Sequence, residues 1–131
     1  MRHLIALLVL PMFVTGCYTS YHAPGAVGRI VDAQTGAPVR GARVTRPAIQ
    51  PPAIFRGVPA ATVATDKTGA FDLPPDSHTQ FRFMYVPNPE SRSGSFMVSA
   101  DGYATNELHG TATPRTLWRV QLGKILLQRL P

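Results

Sequence analysis

From residue 26 onward the apolar residues of this chain recur at every second position, in runs too short for a helix. Phe71 and Leu73 alternate with Asp72, and Phe81, Phe83 and Tyr85 with Arg82 and Met84. Phe96, Val98 and Ala100 alternate with Met97 and Ser99, and Trp118, Val120 and Leu122 with Arg119 and Gln121. Period two marks a strand with one buried face. No stretch after residue 25 carries the 3.6-residue spacing of an amphipathic helix. Turn signals separate the runs: Asp32 before Ala33-Gln34-Thr35-Gly36, then Asp66-Lys67-Thr68-Gly69, then Asp101-Gly102. Asp accepts hydrogen bonds from its own downstream backbone, and Gly tolerates positive φ. Thirteen prolines and eleven glycines in 131 residues fit this pattern and oppose long helices. The pattern predicts strands over 26–32, 42–45, 62–66, 71–73, 81–85, 96–100 and 118–127, with the first two Asp-led turns as hairpins. Past Gly123 the inward phase moves to Ile125 and Leu127, which predicts a β-bulge at Gly123-Lys124. The expected fold is an all-β, seven-stranded antiparallel β-sandwich.

The chain before residue 25 follows other rules. Met1, Arg2 and His3 are polar, and Leu4 to Val14 is an unbroken apolar run. Eleven helical residues reach about 16 Å against a hydrocarbon core of about 30 Å. The run is too short to span a membrane and fits the apolar region of a secretory signal peptide. It ends Val14-Thr15-Gly16-Cys17, which resembles a bacterial lipobox. In such a motif the thiol receives a diacylglycerol, cleavage falls before the Cys, and the new amine is acylated, commonly with palmitate. Each buried methylene adds about 0.8 kcal/mol, and one chain alone binds only marginally. Cys17 is the only cysteine, so no disulfide supports the body. Tyr18 stands where an Asp would signal inner-membrane retention, so the resemblance implies the outer membrane, with the protein facing the periplasm. The expected organisation is a signal peptide over 1–16, a lipidated Cys and tether over 17–24, and one domain over 25–131.

The body also resembles a known family. Gly28-Arg-Ile-Val-Asp32, Thr35-Gly36-Ala-Pro38-Val39 and Gly41-Ala42-Arg-Val44 are similar to the opening of carboxypeptidase regulatory-like domains. Thr65-Asp66-Lys-Thr-Gly69-Ala-Phe71-Asp-Leu73 matches that family's second hairpin, and Val98-Ser-Ala100-Asp-Gly102-Tyr103 its later strand and turn. Leu122-Gly123-Lys-Ile125-Leu-Leu127 matches its closing strand. The resemblance covers most of 25–131 in the right order. It implies a prealbumin-like (Ig-like) sandwich of a kind that serves as a non-catalytic appendage. The matched positions are turn and core residues. The chain departs from the pattern in its long, Pro-rich second connection over 46–59.

Chemistry is sparse. The formal net charge is +6. Losing Arg2 with the leader leaves twelve basic and seven acidic side chains, about +5. The cations are scattered arginines with Lys67 and Lys124, without a like-charged run, and export conflicts with a nucleic-acid partner. His3, His22, His78 and His109 show no metal-ligand spacing, and no cofactor motif is present. Asp32, Asp66 and Asp101 read as turn caps, and Trp118 as a packing residue. The segment with Ile49, Ile54, Phe55 and Arg56 sits among prolines, stiff and apolar enough to form an interaction loop. If strands cross the body alternately, 47–59 lies at the anchored end, with 87–94 and the two hairpin turns at the far end. These features imply a non-catalytic envelope lipoprotein, a binding or scaffold module held to the membrane by its N-terminal lipid, with an envelope protein as partner. The alternatives are a carbohydrate or peptidoglycan binder, which needs exposed aromatics such as Trp118 beside Tyr85, and a small envelope hydrolase, which needs His78 or His109 between a hydroxyl and a carboxylate.

Overall fold

The computed structural model describes residues 16–50, 57–82 and 90–131. Leader residues 1–15, including Val14 and Thr15 of the lipobox, lie outside the described residues, as do Ile54, Phe55 and Arg56. The described chain is all-β, and its one helical element is a single 3-10 turn at Pro114–Thr116. The strands are β1 (Gly16–Ala23), β2 (Gly25–Asp32), β3 (Arg43–Arg46), β4 (Ala61–Ala64), β5 (Ala70–Leu73), β6 (Asp76–Arg82), β7 (Arg92–Ser99), β8 (Asn106–Ala112) and β9 (Arg119–Leu127).

Seven of the nine form two sheets, one of three strands in the order β5-β2-β9 and one of four in the order β4-β3-β7-β8. Their inward residues meet in one core. Phe96, Ile30, Leu73, Leu127, Val44 and Val98 are its largest fully buried apolar side chains. Each such burial is worth about 1.5–3 kcal/mol. The alternation read from Phe71/Leu73 and Phe96/Val98 points these side chains inward, and Ala100 packs against the same cluster.

The sheets differ from the expectation in direction and membership. β2 and β9 pair in parallel, from Gly25↔Arg119 to Asp32↔Leu127, so the three-stranded sheet is mixed rather than antiparallel. Alternation reports which face is buried and is blind to strand direction. The strand expected over 81–85 lies outside the described residues apart from Phe81 and Arg82, which end β6, and β6 pairs with β1 as a separate two-stranded ribbon. The four-stranded sheet also holds β8, whose sequence Asn106-Glu-Leu-His-Gly-Thr-Ala112 carries too few apolar residues to announce a strand. Residues 18–23, expected as a tether, lie in β1, and Pro24 is buried at its root.

The two Asp-led turns do not join neighbouring strands of one sheet, although a single antiparallel bridge, Val31↔Pro38, closes the first. β2 and β3 belong to different sheets, and so do β4 and β5. Each turn is a corner that carries the chain across the sandwich. The same Asp and Gly chemistry serves both uses, so sequence shows the reversal without showing the partner. At the second corner Gly69 has φ +77°, and its backbone passes so close to β2 that a Cβ would stand 2.3 Å from the Ile30 carbonyl oxygen. The Gly69 carbonyl in turn accepts from the Ile30 N–H at 2.8 Å.

The expected bulge is present one residue earlier. Val27 pairs with Gln121 and Gly28 with Gly123, leaving Leu122 as the extra residue and Gly123 at φ +64°. Beyond it Ile125 and Leu127 turn inward as read from the sequence. Trp118 lies just before β9. It and Leu117 adopt left-handed backbone, φ 59° and 53°. Such non-Gly pairs are sterically costly and persist where surrounding bonds impose them. Here the Leu117 N–H donates to Pro114 O, the Trp118 N–H to Thr113 O, and the Gly25 N–H to Trp118 O.

Directions of the strands define two ends. β2, β4, β7 and β9 start, and β3, β5 and β8 finish, at the end where the ribbon joins. The corners at 33–36 and 66–69 lie at the opposite end, as expected, and the chain flanking 47–59 lies at the ribbon end. Of 87–94, residues 87–89 lie outside the described residues, and 90–94 lead into β7 at the ribbon end, not the far end. Replacement of Gly69 by Ala is expected to lower folding stability by about 1–3 kcal/mol, through the close approach and the positive φ together. Urea unfolding followed by tryptophan fluorescence measures it. Gly36 has φ +71° but open space around its Cβ position, so its Ala variant should lose less.

Candidate functional site

Three polar clusters stand out. The first closes the far end. Asp32 ends β2 and is 2% exposed. Its Oδ1 accepts the N–H groups of Gln34 and Thr35 at 2.8 and 3.0 Å, which fixes the first corner. Its Oδ2 accepts the Tyr103 hydroxyl at 2.8 Å and Arg129 Nε at 2.5 Å. Arg129 and Tyr103 are already joined by an isolated β-bridge. The Arg129 guanidinium, then the Tyr103 hydroxyl and the two N–H groups, hold the Asp32 carboxyl well below its usual range. The same contact raises the Tyr103 phenol and Arg129.

The second cluster sits at the ribbon root. Arg46, the last residue of β3, is 5% exposed. Its Nη1 donates at 3.1 Å to the carbonyl of Pro24, where β1 leads into β2, and at 3.1 Å to that of Pro74, just before β6. One buried cation therefore ties both legs of the ribbon to the four-stranded sheet. Burial lowers its pKa, and the charge of Asp76 opposes that shift. Nothing in the local sequence, Arg43-Val-Thr-Arg46, marks this Arg as buried rather than solvated. Its only sign is the inward phase that it shares with Val44.

The third cluster is a shallow groove on the outer face of β7 and β8, lined by Ser93, Ser95, His109 and Thr111. Ser95 and His109 are cross-strand partners. Glu107 Oε1 lies 3.6 Å from His109 Nε2, beyond hydrogen-bond range, and their side chains are 58% and 70% exposed. Hydroxyl, imidazole and carboxylate thus share one face. The Glu107–His109 pair is open to water.

The sequence-derived residues are distributed as follows. Gly16 and Cys17 lie in β1, opposite Arg82 and Phe81. Ile49 is 45% exposed and forms a bridge with Val58, each N–H donating to the other's carbonyl at 2.9 Å. Asp66 caps its corner, accepting the N–H groups of Thr68 and Ala70 and the Thr68 hydroxyl, which lowers its pKa. Asp101 faces Arg43 at 3.9 Å. Trp118 is 5% exposed and packs as expected. His78 lies in β6, opposite Ser20. Thr65 belongs to the motif read as a second hairpin, but its contacts were not foreseen: its buried hydroxyl donates to Val39 O at 2.6 Å and accepts from the Ala42 N–H at 3.0 Å. Among the described residues no three His, Cys, Asp or Glu side chains converge as a metal site, and no helix is long and apolar enough to cross a membrane.

No family model matches the chain, and no curated protein matches it. Among solved structures, the crystal structure of 3-chlorocatechol 1,2-dioxygenase from Rhodococcus opacus 1CP is similar over 84% of this chain, at 12% identity and a TM-score of 0.48. The chain spans 62% of that dioxygenase, less than two thirds of its length.

A carboxyl whose folded pKa is depressed adds stability above its unfolded value, near 4, and loses that stability as pH falls through the folded value. Asp32→Asn should therefore be clearly less stable than the parent at pH 7. The gap should narrow steadily below pH 4, as measured by denaturation midpoints across that range. A gap independent of pH would mean that the carboxylate charge at Asp32 is immaterial.

Proposed function

We propose that this chain is a bacterial envelope lipoprotein, acylated at Cys17 and held in the outer membrane with its body facing the periplasm. The body acts as a non-catalytic binding or scaffold module. One observation carries the reading: a charged start, an eleven-residue apolar run and Val14-Thr15-Gly16 end together on the only cysteine. A prealbumin-like sandwich akin to carboxypeptidase regulatory-like domains is the body that the sequence resemblance implies, and two sheets of three and four strands are consistent with it.

Further support comes from the polar clusters. Asp32, Asp66, Arg46 and Thr65 all bond backbone that sets the architecture. Trp118 is buried and cannot serve as an open platform for a sugar ring, so a carbohydrate reading would rest on other groups. The proposed partner is an envelope protein, reached from the membrane surface.

Cys17→Ser tests the anchor. The parent should sediment with membranes and require detergent for release, whereas the variant should become soluble in the periplasmic fraction. Intact-mass analysis of the parent should show a mature N-terminus at residue 17 carrying acyl mass. An unlipidated N-terminus elsewhere would remove the reading.

A further inference from the structure

The register of the ribbon has a consequence for the membrane. Cys17 pairs with Phe81, and Gly16 with Arg82, while at the other end Ala23 pairs with Asp76. Opposed residues in an antiparallel ladder lie about 4.5–5.5 Å apart between Cα atoms. Whatever holds Cys17 therefore holds the end of β6 beside it. The geometry points to the β1–β6 ribbon as a two-legged membrane foot: the lipid is carried on β1, and the end of β6, Phe81 and Arg82, meets the bilayer surface as a second contact. This rests on the acylation of Cys17 proposed above and goes beyond it, because a lipidated chain with a free tether would bring no other residue to the membrane.

Three observations favour a lipid surface as the occupant. First, cleavage before Cys17 removes Gly16, so the mature ladder begins at the acylated residue itself, opposite Phe81. From Cys17 to Ala23 the strand rises six residues, about 20 Å, and the acyl attachment lies at the end remote from the body. Second, an isolated two-stranded ladder is marginal in water. This one is fastened at its root, where Arg46 holds the carbonyls of Pro24 and Pro74. Anchoring at the tip would fasten the other end. Third, the residue types that the register delivers are an aromatic and an arginine, the chemistry of an interface between acyl chains and anionic phosphates.

The test uses the full-length lipidated protein. Its one native cysteine is consumed by the lipid, so a cysteine introduced elsewhere is the sole free thiol. Phe81→Cys and Lys67→Cys proteins, each labelled with an environment-sensitive fluorophore, are bound to vesicles of phosphatidylethanolamine and phosphatidylglycerol with nitroxide-labelled headgroups. Lys67 lies on the corner at the far end. Quenching should be several-fold stronger at 81 than at 67. Consecutive strand residues point their N–H groups to opposite edges, so a Tyr18→Pro/Thr19→Pro double variant must remove a ladder donor. It should stay bound to vesicles through Cys17, keep the fluorescence of buried Trp118, and lose the quenching at 81.

Equal quenching at 81 and 67 in vesicle-bound protein overturns the foot and leaves the anchor intact. Quenching at 81 that survives both prolines also overturns it, because the ladder would then not be what brings β6 down. Protein that fails to bind vesicles, with an unmodified Cys17 by mass, removes the anchor reading and the foot with it.

Discussion

The parallel ladder between β2 and β9 is the constraint on which the body depends. It joins the first and last strands of the sandwich over eight positions of β2, with one extra residue, Leu122, absorbed in β9. Both strands start at the ribbon end, where the Gly25 N–H reaches the Trp118 carbonyl. For β9 to run the same way as β2, an odd number of strands must cross the body between them. β3, β4, β5, β7 and β8 are those five. Asp32 then seals the ladder at its finish: it ends β2, and Arg129, two residues beyond β9, bonds its carboxylate. Tyr103 brings the turn before β8 to the same point. The ends of both sheets are thereby tied through one side chain.

That arrangement makes the two ends of the molecule unlike. The far end holds short corners, each governed by an Asp and a Gly. The ribbon end receives the long connection after β3, the connection from β6 to β7, and the strained turn from Thr113 to Trp118. Loops of this kind carry function when a rigid body positions them. Leu117, 70% exposed on that strained turn, is the most exposed of the large apolar side chains described. Arg46 adds stiffness at the same end. Buried arginine is costly unless its donors are satisfied; the Pro24 and Pro74 carbonyls accept from Nη1, while Nε is buried without a partner among the described residues. The ribbon is thus attached by a charge-assisted contact as well as by chain continuity.

Much of the body was legible in the sequence. Period-two alternation located β5, β7 and β9 and their buried faces, because a core residue and its solvent-facing neighbour differ in polarity. The phase change after Gly123 revealed the bulge for the same reason. What alternation cannot carry is strand direction or partner, so the parallel β2–β9 pair and the cross-sheet corners were invisible. β8 escaped because its inward positions include Gly110, which packs backbone against Val120: a Cβ there would stand 2.1 Å from Val120 Cγ1. The aromatic alternation of Phe81, Phe83 and Tyr85 lies outside the described residues beyond Arg82, where β6 ends paired with β1. Of the polar clusters, the sequence made legible the two capping aspartates, Asp32 and Asp66. Arg46 and Thr65 act on backbone far away in sequence, and no local pattern announces such a contact.

The chemistry of Asp32 is that of a structural clamp. A carboxylate offers about four lone-pair directions. Here two go to N–H groups of its own corner, one to Tyr103 and one to Arg129. Such an acid has no vacant acceptor for a substrate proton, and the donors that fill it also hold its pKa down, the opposite of what a general base near neutral pH requires. Arg119 and Asp72, joined at 2.6 Å across the face of β2, likewise brace the three-stranded sheet. Acid and base are here placed so that each completes the other's hydrogen bonding.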